Sequence, residues 1–392
     1  MPPLSIMIKP ASGMCNMRCA YCFYHDVAQH RDMPSHGMMT KETVVQIIEK
    51  ALAFAQGEQV SFAFQGGEPL LAGLDFFRFF TQTLREKNTR NSPVCFGMQT
   101  NGLLLDQNWA AFLREEKFLV GLSLDGDNNA NRYRRGANGQ RVWQAVMDAA
   151  ALLLQESVDF NILTVLTGYC AEHCEDIYRF FKRQGFRHLQ FIPCLRPFSP
   201  HRGIPRPLER GTSPGLAQGF IPLIGNTADS NTQQKSDLYM TSAQYADFLT
   251  RLFRLYVKDF AAGNYVSIRQ FDNYVRMYLG ERPEQCGMAG HCSFQFVVEG
   301  GGDVFPCDFY CIDAWRLGNI NETGFREMNE SEPARRFIQE SLQVAERCRQ
   351  CKFYPLCRGG GCKRYRENED HCAAYRAFFE QCLPLFRVFT AN

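Results

Sequence analysis

Between residue 5 and about residue 195, the sequence alternates short runs rich in β-branched and aromatic residues with longer amphipathic runs. Six short runs are apolar along most of their length, which is typical of strands covered on both faces. These predicted strands are 5–9, 60–65, 94–100, 118–124, 160–167 and 188–195. Helical periodicity predicts helices between them at 40–55, 74–87, 107–116, 142–155 and 172–184. Such repeated βα units predict an α/β fold with a parallel sheet, open or closed into a barrel. The functional residues are expected at the carboxyl ends of its strands.

Composition and charge narrow the class of protein. The chain has 392 residues, 45% of them hydrophobic, which suits one large domain and a smaller one. Its formal net charge of +2 gives no basic footprint for nucleic acid. We expect neither a membrane span nor a signal peptide, since no long apolar run occurs. Seventeen cysteines without an export signal indicate a cytoplasmic protein that uses thiolates as metal ligands rather than in disulfides.

The chain is expected to have three parts. The first covers residues 1–235 and ends in a segment rich in Pro, Gly and Ser, 196–236, which predicts a long loop or lid. The second, 236–285, is predicted to be a connection of one helix (243–261) and one strand (266–271). The third, 286–392, is rich in cysteine and lacks the apolar periodicity for a core of its own. It therefore predicts a small module held together by metal.

Three cysteines follow the first predicted strand with the spacing C-x3-C-x2-C, at Cys15, Cys19 and Cys22. Three thiolates in one loop can hold a metal centre from one side, and they leave one iron of a four-iron cluster without a protein ligand. An open coordination position indicates chemistry at the metal. A structural zinc site with a distant fourth ligand is the alternative.

This spacing, with Tyr21 just before the last cysteine, resembles the signature of radical S-adenosylmethionine (SAM) enzymes. The sequence Gly66-Gly67-Glu68-Pro69 after the second strand is similar to the motif with which that family binds the methionine amino group. The resemblance implies a partial (β/α)6 TIM-like barrel that binds SAM. It also implies that Tyr21 belongs to the cofactor site, and that Ser123 and Arg134 contact the ribose and carboxylate of SAM.

Eight C-terminal cysteines follow the patterns C-x5-C-x14-C and C-x2-C-x5-C-x4-C-x9-C. They suffice for two fully ligated four-iron clusters, with a zinc ribbon as the alternative. The patterns resemble the SPASM domain, which holds two auxiliary clusters, so three [4Fe-4S] clusters are implied in all. By this resemblance the first auxiliary cluster takes Cys286, Cys292, Cys307 and Cys362, and the second takes Cys348, Cys351, Cys357 and Cys372. The family usually has three residues before the last closely spaced cysteine. Here 358–361 make four, and their three glycines can absorb the extra residue.

The resemblance covers nearly the whole chain at the level of a subfamily. SFAFQGGEPLLAGLDFF, KFLVGLSLDG and CGMAGHCSFQFVVEGGGDVFPCDFY are similar to anaerobic sulfatase-maturating enzymes. Those enzymes oxidise a Cys or Ser in the C/S-x-P-x-R motif of a sulfatase to Cα-formylglycine, after a 5′-deoxyadenosyl radical removes a Cβ hydrogen. The resemblance implies two protein partners. One is an unfolded or nascent sulfatase, and the other is a small electron donor of the flavodoxin or ferredoxin type.

The same resemblance implies a catalytic base. The Asp of PCDFY is the family's proposed proton acceptor, which here is Asp308, with Asp272 as second choice. A capping carboxylate in the cluster loop is the alternative role for Asp308. Tyr24, Gln65 and Gln99 are expected to face the substrate backbone or the cofactor, because an amide can both donate to and accept from a peptide. The alternative for the two glutamines is orientation of the cofactor.

Two other functions stay open at the level of sequence. One is a SPASM maturase that forms thioether or carbon–carbon crosslinks in a ribosomal peptide. Such enzymes often carry an N-terminal leader-binding domain, for which a cluster motif starting at residue 15 leaves little room. The other is a non-catalytic iron–sulfur or zinc protein, against which the GGEP motif and the open three-cysteine site argue.

Overall fold

The computed structural model describes residues 4–198, 221–222, 237–368 and 371–390. Its strands are β1 (Leu4–Ile8), β2 (Met14–Cys15), β3 (Val60–Phe64), β4 (Val94–Thr100), β5 (Phe118–Ser123), β6 (Phe160–Leu166), β7 (His188–Pro193), β8 (Ile221–Pro222), β9 (Ser267–Ile268), β10 (Val297–Val298), β11 (Asp303–Phe305) and β12 (Gly318–Asn319). Strands β1, β3, β4, β5, β6 and β7 lie side by side in that order, and every neighbouring pair is parallel. The six predicted strands are therefore confirmed, with ends that differ by one or two residues.

Helices connect these strands and cover the sheet. They are α1 (Phe23–Gln29), α2 (Lys41–Ala55), α3 (Leu74–Lys87), α4 (Gln107–Glu115), α5 (Trp143–Gln155), α6 (Gly168–Glu172), α7 (Cys174–Arg183), α8 (Ser242–Ala261), α9 (Arg269–Tyr278), α10 (Phe325–Asn329), α11 (Glu332–Ser341), α12 (Tyr354–Cys357), α13 (Lys363–Asn368) and α14 (Cys372–Cys382). The helix predicted over 172–184 is found as α7, preceded by the separate short helix α6, and the others also agree with the prediction to within one or two residues. None of the described helices is long and apolar enough to cross a bilayer.

Aromatic side chains pack the barrel wall against helix α3. Phe62 and Phe64 on β3 are fully buried, as are Phe77 and Phe80 on α3. The ring of Phe80 lies 5.1 Å from that of Phe62 and 5.0 Å from that of Phe64, in edge-to-face contact. This core supports the carboxyl ends of the strands, where the polar motifs lie. The result is a partial (β/α)6 barrel, as predicted.

The sheet continues past both ends of the barrel. On the free edge of β1, Met7 and Ile8 pair in parallel with Val297 and Val298 of β10, and β11 and β12 follow in antiparallel order. At the other end, β9 pairs with β7. The cysteine-rich part of the chain is thus joined to the first strand by backbone hydrogen bonds, which brings residues 299–311 to the mouth of the barrel.

One predicted element is wrong, and another lies mostly outside the described residues. The strand predicted over 266–271 is limited to Ser267–Ile268, and helix α9 begins at Arg269. The reason is a spacing of three: Phe271, Tyr274 and Met277 are buried along one face of that helix. Of the predicted lid, residues 199–220 and 223–236 are not among the described residues. Strand β8 within it pairs antiparallel with β2.

Candidate active site

The three N-terminal cysteines, Cys15, Cys19 and Cys22, lie in one loop between the start of β2 and the start of α1. This loop is hydrogen-bonded to the segment that precedes α5. Arg18 N donates to Arg135 O at 2.8 Å, and Ala20 N donates to Tyr133 O at 3.0 Å. These bonds hold the loop against the segment that contains Arg134, so the two predicted parts of the cofactor site are brought together.

The thiols of this loop need a cationic partner if they are to ionise. Burial raises the pKa of all three, to about 12 for Cys19, and the nearby Arg134 guanidinium opposes the rise at Cys19 and Cys22. Iron would supply the missing positive charge. Among the described residues, no three His, Cys, Asp or Glu side chains converge closely enough to hold a single metal ion, as a zinc site requires. The ligands of a four-iron cluster bind different iron atoms and need not converge on one point.

The predicted cofactor motif lies directly against the start of this loop. Gly67 N donates to Ser12 O at 3.0 Å, and Glu68 N donates to Met14 O at 2.8 Å. A Cβ at position 67 would lie 1.9 Å from Met14 O, so only glycine permits this approach. The glycine pair therefore serves close backbone packing and places the Glu68 side chain beside Cys15, with which it interacts electrostatically.

The carboxylate of Glu68 is buried and anchored by three donors. Leu70 N lies 3.1 Å and Thr100 Oγ1 2.7 Å from Oε1, and Asn101 N lies 2.8 Å from Oε2. Burial raises its pKa to about 7, although these hydrogen bonds oppose the rise. The result is a rigid carboxylate at the carboxyl end of β3, available to an ammonium group.

A second buried carboxylate, Asp125, organises two predicted cofactor residues. Its Oδ2 accepts from the Tyr21 hydroxyl, and its Oδ1 pairs with Arg134 Nη2 at 3.1 Å and accepts from Val165 N at 2.9 Å. The Arg134 side chain is buried, and no described residue accepts a hydrogen bond from its Nε. A buried donor without an acceptor fits a site for a missing anionic group such as a carboxylate.

Ser123 and Gln99 form one unit at the ends of two neighbouring strands. Gln99 Nε2 donates to Ser123 Oγ at 2.9 Å, and the Gln99 amide packs over Gly121, where a Cβ would lie 2.1 Å from its Oε1. This geometry favours orientation of Ser123 by Gln99 over contact of Gln99 with a peptide.

Asp308 lies where the barrel meets the cysteine-rich region, and two other predicted residues converge on it. Its Oδ2 accepts from the Tyr24 hydroxyl at 2.7 Å and from Gln65 Nε2 at 3.3 Å. Its Oδ1 forms an ion pair with Lys9 Nζ at 2.9 Å. The side chain is 8% exposed. Three predicted residues from distant parts of the sequence therefore share one buried site.

The second choice for the base, Asp272, lies in a different place. Its carboxylate accepts hydrogen bonds from Tyr256 and Tyr265, each at 2.7 Å, and from Ser267 at 2.6 Å. These three hydroxyls occupy it at the start of α9. Asp272 therefore supports the connection between α8 and α9.

The eight C-terminal cysteines fall into two groups. Burial raises the pKa of Cys292, Cys307 and Cys362, and other thiols of the set that includes Cys286 raise it further. The second set consists of Cys348, Cys351, Cys357 and Cys372. Burial raises the pKa of Cys348 and Cys357, and neighbouring thiols of this set raise it further. The two sets are the ones that the resemblance implies.

A left-handed turn carries the chain from one group to the other. Residues 358–361 all have positive φ, of 51°, 76°, 92° and 74°. At Gly361 a Cβ would lie 2.2 Å from Gly287 O, so the turn passes directly over the loop after Cys286. The extra residue is thus absorbed within the turn, and Cys362 reaches the first group while Cys357 stays in the second.

Comparison with known proteins agrees with this geometry. The model of the radical SAM superfamily matches residues 10–181, and that of the SPASM iron-sulfur cluster-binding domain matches residues 286–352. The cysteine-type anaerobic sulfatase-maturating enzyme of Clostridium perfringens is 40% identical over 98% of this chain and 97% of its own length. This chain belongs to the anaerobic sulfatase-maturating enzymes.

Two further relatives place it within the family. The serine-type enzyme of Bacteroides thetaiotaomicron is 29% identical over 97% of this chain and 90% of its own. The structure of native anSMEcpe with bound AdoMet and Cp18Cys peptide has a TM-score of 0.84 and 39% identity, and the match covers 99% of this chain and 98% of that one. The chain is therefore a radical SAM oxidoreductase that uses SAM and iron–sulfur clusters, as predicted.

In this sulfatase-maturating enzyme, three buried charged residues escaped the sequence analysis. Lys9 comes directly after β1, and Asp125 comes two residues after β5. Glu299 directly follows β10. The same rule that singled out Gln65 and Gln99, a polar residue at the carboxyl end of a strand, would have found the first two. Glu299 follows a strand of only two residues, which gives too weak a pattern to recognise.

The second cysteine group of the enzyme lines a large cavity. Its volume is about 850 Å³, and Cys348, Cys351, Cys357 and Cys372 all contribute to its wall. Four thiols around one cavity fit a fully ligated cluster.

Proposed function

We propose that this enzyme oxidises a cysteine in the C-x-P-x-R motif of an unfolded or nascent sulfatase to Cα-formylglycine. The observation that carries the proposal is the convergence of Tyr24, Gln65 and Lys9 on the buried carboxylate of Asp308. The choice of cysteine over serine is supported by 40% identity with a cysteine-type enzyme against 29% with a serine-type one.

The cysteines in the first loop would hold one [4Fe-4S] cluster, and the two C-terminal groups would hold two more. When bound, SAM and the first of these clusters supply the radical that removes a hydrogen atom from the substrate Cβ. On the cofactor side, Glu68 would receive the SAM amino group, and Arg134 would offer its unpartnered Nε to the SAM carboxylate. Tyr21 would keep Asp125 in place, and Ser123, held by Gln99, would contact the ribose.

Asp308 would act on the substrate. After the hydrogen atom has left Cβ, the substrate must lose the thiol proton and one further electron, which the C-terminal clusters would accept when bound. The resulting thioaldehyde reacts with water to give the aldehyde and hydrogen sulfide. The Oδ2 atom of Asp308 would accept the thiol proton, because the Lys9 ammonium beside Oδ1 can only donate, whereas the Tyr24 hydroxyl at Oδ2 can turn to accept from the protonated carboxyl. Tyr24 and Gln65 donate to the same Oδ2 and would orient both the carboxylate and the peptide.

We further propose that an acidic electron donor of the flavodoxin or ferredoxin type docks at the cavity of the second cysteine group. Between residues 343 and 366, seven Lys and Arg stand against one acidic residue, although the whole chain has a net charge of only +2. The cavity wall has an excess of positive charge: five Lys and Arg line it, Arg347, Lys352, Lys363, Arg366 and Arg376, against Glu340 and Glu367. Charge complementarity of this kind speeds association and makes it depend on salt. Lys352→Glu should therefore slow reduction by such a donor, with no effect on reduction by dithionite.

The three-part organisation at 1–235, 236–285 and 286–392 is also proposed, and the ranges of the two family matches support it. The abundance of cysteines expected as thiolate ligands supports a cytoplasmic location.

The function can be tested by anaerobic turnover with SAM, dithionite and peptides that carry either C-x-P-x-R or S-x-P-x-R. Mass spectrometry should show conversion of the cysteine peptide to the aldehyde, with stoichiometric 5′-deoxyadenosine. A crosslinked peptide, or SAM cleavage without any change in either peptide, would overturn the assignment.

The role of Asp308 has its own test. Asp308→Asn should lower the rate of peptide oxidation by about 10²–10⁴-fold, as expected when a general base is lost. Asp272→Asn is the matched control, because that carboxylate serves only the α8–α9 connection. Undiminished oxidation by Asp308→Asn would exclude it as the base.

A further inference from the structure

Lys9 is a buried lysine that the reaction described above does not use directly. It follows β1 at the mouth of the barrel and is 2% exposed. Its Nζ lies 2.9 Å from Asp308 Oδ1, 3.3 Å from Glu299 Oε1 and 3.3 Å from Cys311 Sγ. It also lies 4.7 Å from the centre of the Tyr24 ring. A buried cation is costly unless it is paired, and Lys9 is paired with two carboxylates. The question is which of the two carboxylates needs it.

Glu299 does not need Lys9 as its only partner. Arg31 Nη1 lies 2.8 Å from its Oε1, and Ser12 Oγ donates to its Oε2 at 2.7 Å. Burial raises the pKa of Glu299, but Lys9 and Arg31 together lower it to about 2. With Arg31 and Ser12 in place, Glu299 keeps a cation and a donor even when Lys9 is removed. Of the two carboxylates, Asp308 is the one that has its ion pair with Lys9 and no described ion pair with Arg31.

The two oxygens of Asp308 have different partners. Oδ1 contacts the Lys9 ammonium, whereas both neutral donors, Tyr24 and Gln65, contact Oδ2. Turning the carboxylate plane about the Cβ–Cγ bond by about a quarter-turn would break these contacts. The ammonium therefore fixes the plane of the carboxylate, with one oxygen toward Lys9 and the other toward the side on which Tyr24 and Gln65 lie.

We propose that Lys9 is the positioning residue for Asp308: it holds Oδ1 so that Oδ2 is presented to the substrate thiol. This inference rests on the proposed function, because it assumes that Asp308 accepts the thiol proton. Lys9 itself neither touches the substrate nor transfers a proton. Its effect on the reaction passes entirely through the orientation of one carboxylate, which makes the inference open to a double-mutant test.

The experiment compares Lys9→Met, Asp308→Asn and the double variant with the wild type. Met keeps the volume and apolar stem of the side chain but removes the charge. Lys9→Met should lower kcat by about 10–100-fold while the peptide KM changes by less than about threefold, since a transition-state interaction is lost. In the Asp308→Asn background, Lys9→Met should cause no further loss. The 5′-deoxyadenosine formed per aldehyde should rise, because SAM cleavage continues while peptide oxidation is impaired.

Two controls separate positioning from folding. Arg31→Met removes the other cation from Glu299 without touching Asp308, so kcat should stay near the wild-type value even if the melting temperature falls. Iron content and the change in the electron paramagnetic resonance signal on addition of SAM should be unaffected in Lys9→Met. Lys9→Arg keeps the charge and should recover part of the lost kcat.

Three results would overturn the inference. Losses that multiply in the double variant would show that Lys9 acts independently of Asp308. A raised peptide KM at unchanged kcat would make Lys9 a substrate contact, and loss of iron or of the SAM-dependent signal would make it a structural residue. Full activity of Asp308→Asn alone would instead contradict the proposed base, and with it the role of Lys9. The single variants therefore distinguish failure of the proposed function from failure of this inference.

Discussion

The barrel and the cysteine-rich region are held together by different means. Strands β3, β4 and β5 have five to seven residues each and pack through buried Phe62, Phe64 and Phe118. From Cys286 onward the strands have two or three residues, and helix α12 has only four. Tyr310, Trp315 and Phe337 form a buried aromatic cluster between these elements, but the loops that bear most of the cysteines have little regular structure of their own.

The C-terminal end of this region packs on the rest of the molecule by apolar contact. On α14, Phe378 lies 5.4 Å from the ring of Phe253 on α8, and Phe386 beyond it lies 4.6 Å from the same ring. Apolar contact also reaches the loop between Cys351 and Cys357, where the ring of Phe353 lies 5.7 Å from that of Phe379. We therefore expect metal binding to stabilise the cysteine-bearing loops and not the whole region.

Removal of the clusters should have the largest effect, and only on the loops. Anaerobic chelation should lower amide protection by more than about 100-fold in residues 284–296 and 342–362, because bound metal contributes directly to the folding free energy there. Amides of β3–β6 and of α8 should keep their protection. Hydrogen exchange read by mass spectrometry measures this difference, and equal loss in the barrel would contradict the comparison.

A substitution that creates a cavity in the barrel should have the opposite effect, with a loss of stability but no loss of iron. Phe64→Ala removes a fully buried ring between β3 and α3 and should lower the free energy of unfolding by about 3–5 kcal/mol. Iron content should be unchanged in the protein that still folds. Chemical denaturation under anaerobic conditions gives the first quantity and iron analysis the second, and parallel loss of both would mean that the regions do not differ.

The left-handed turn offers a smaller and more local test. Gly361→Ala places a Cβ 2.2 Å from Gly287 O, which we expect to cost about 1–3 kcal/mol and to pull Cys362 away from its group. Reconstituted protein should then hold about four iron atoms fewer per chain. Gly360→Ala is the control: its Cβ would meet only Arg366 Cγ at 3.4 Å, so iron should be retained.

The smallest effect is expected from titration of Glu68 in the barrel. Its pKa of about 7 is raised by burial, so the carboxyl becomes neutral as the pH falls below 7. SAM affinity should therefore decrease by up to about tenfold per pH unit between pH 7 and pH 5, since the ion pair with the amino group is lost. Equilibrium dialysis measures this, and Glu68→Gln should bind weakly at every pH. An affinity independent of pH in the wild type would exclude the ion pair.

The sequence predicts the barrel well because its signals are local. Strand and helix periodicities lie within windows of 5 to 15 residues, and the metal motif follows the first strand directly. The strand predicted over 266–271 is wrong because a two-residue strand is followed directly by α9. The helical spacing of Phe271, Tyr274 and Met277 extends beyond that window.

Non-local pairings explain the rest. Nothing near Lys9 in the sequence indicates that its partner is Asp308, or that Asp272 is already occupied by three hydroxyls. Spacing alone also could not divide the eight C-terminal cysteines into two groups. That division depends on the turn at 358–361 passing over Gly287, which is a property of the folded chain.

The pairing of β1 with β10 has a consequence for the synthesis of the protein. Ser12 and Glu299, which are hydrogen-bonded just past these strands, are separated by 287 residues. A ribosome adds about 5–20 residues per second, so one edge of β1 waits roughly 15–60 s for its partner. During that time the first strand offers an unpaired apolar edge, which is a template for aggregation. The yield of this protein in cells should therefore depend on chaperones and on translation speed more than its finished stability would indicate.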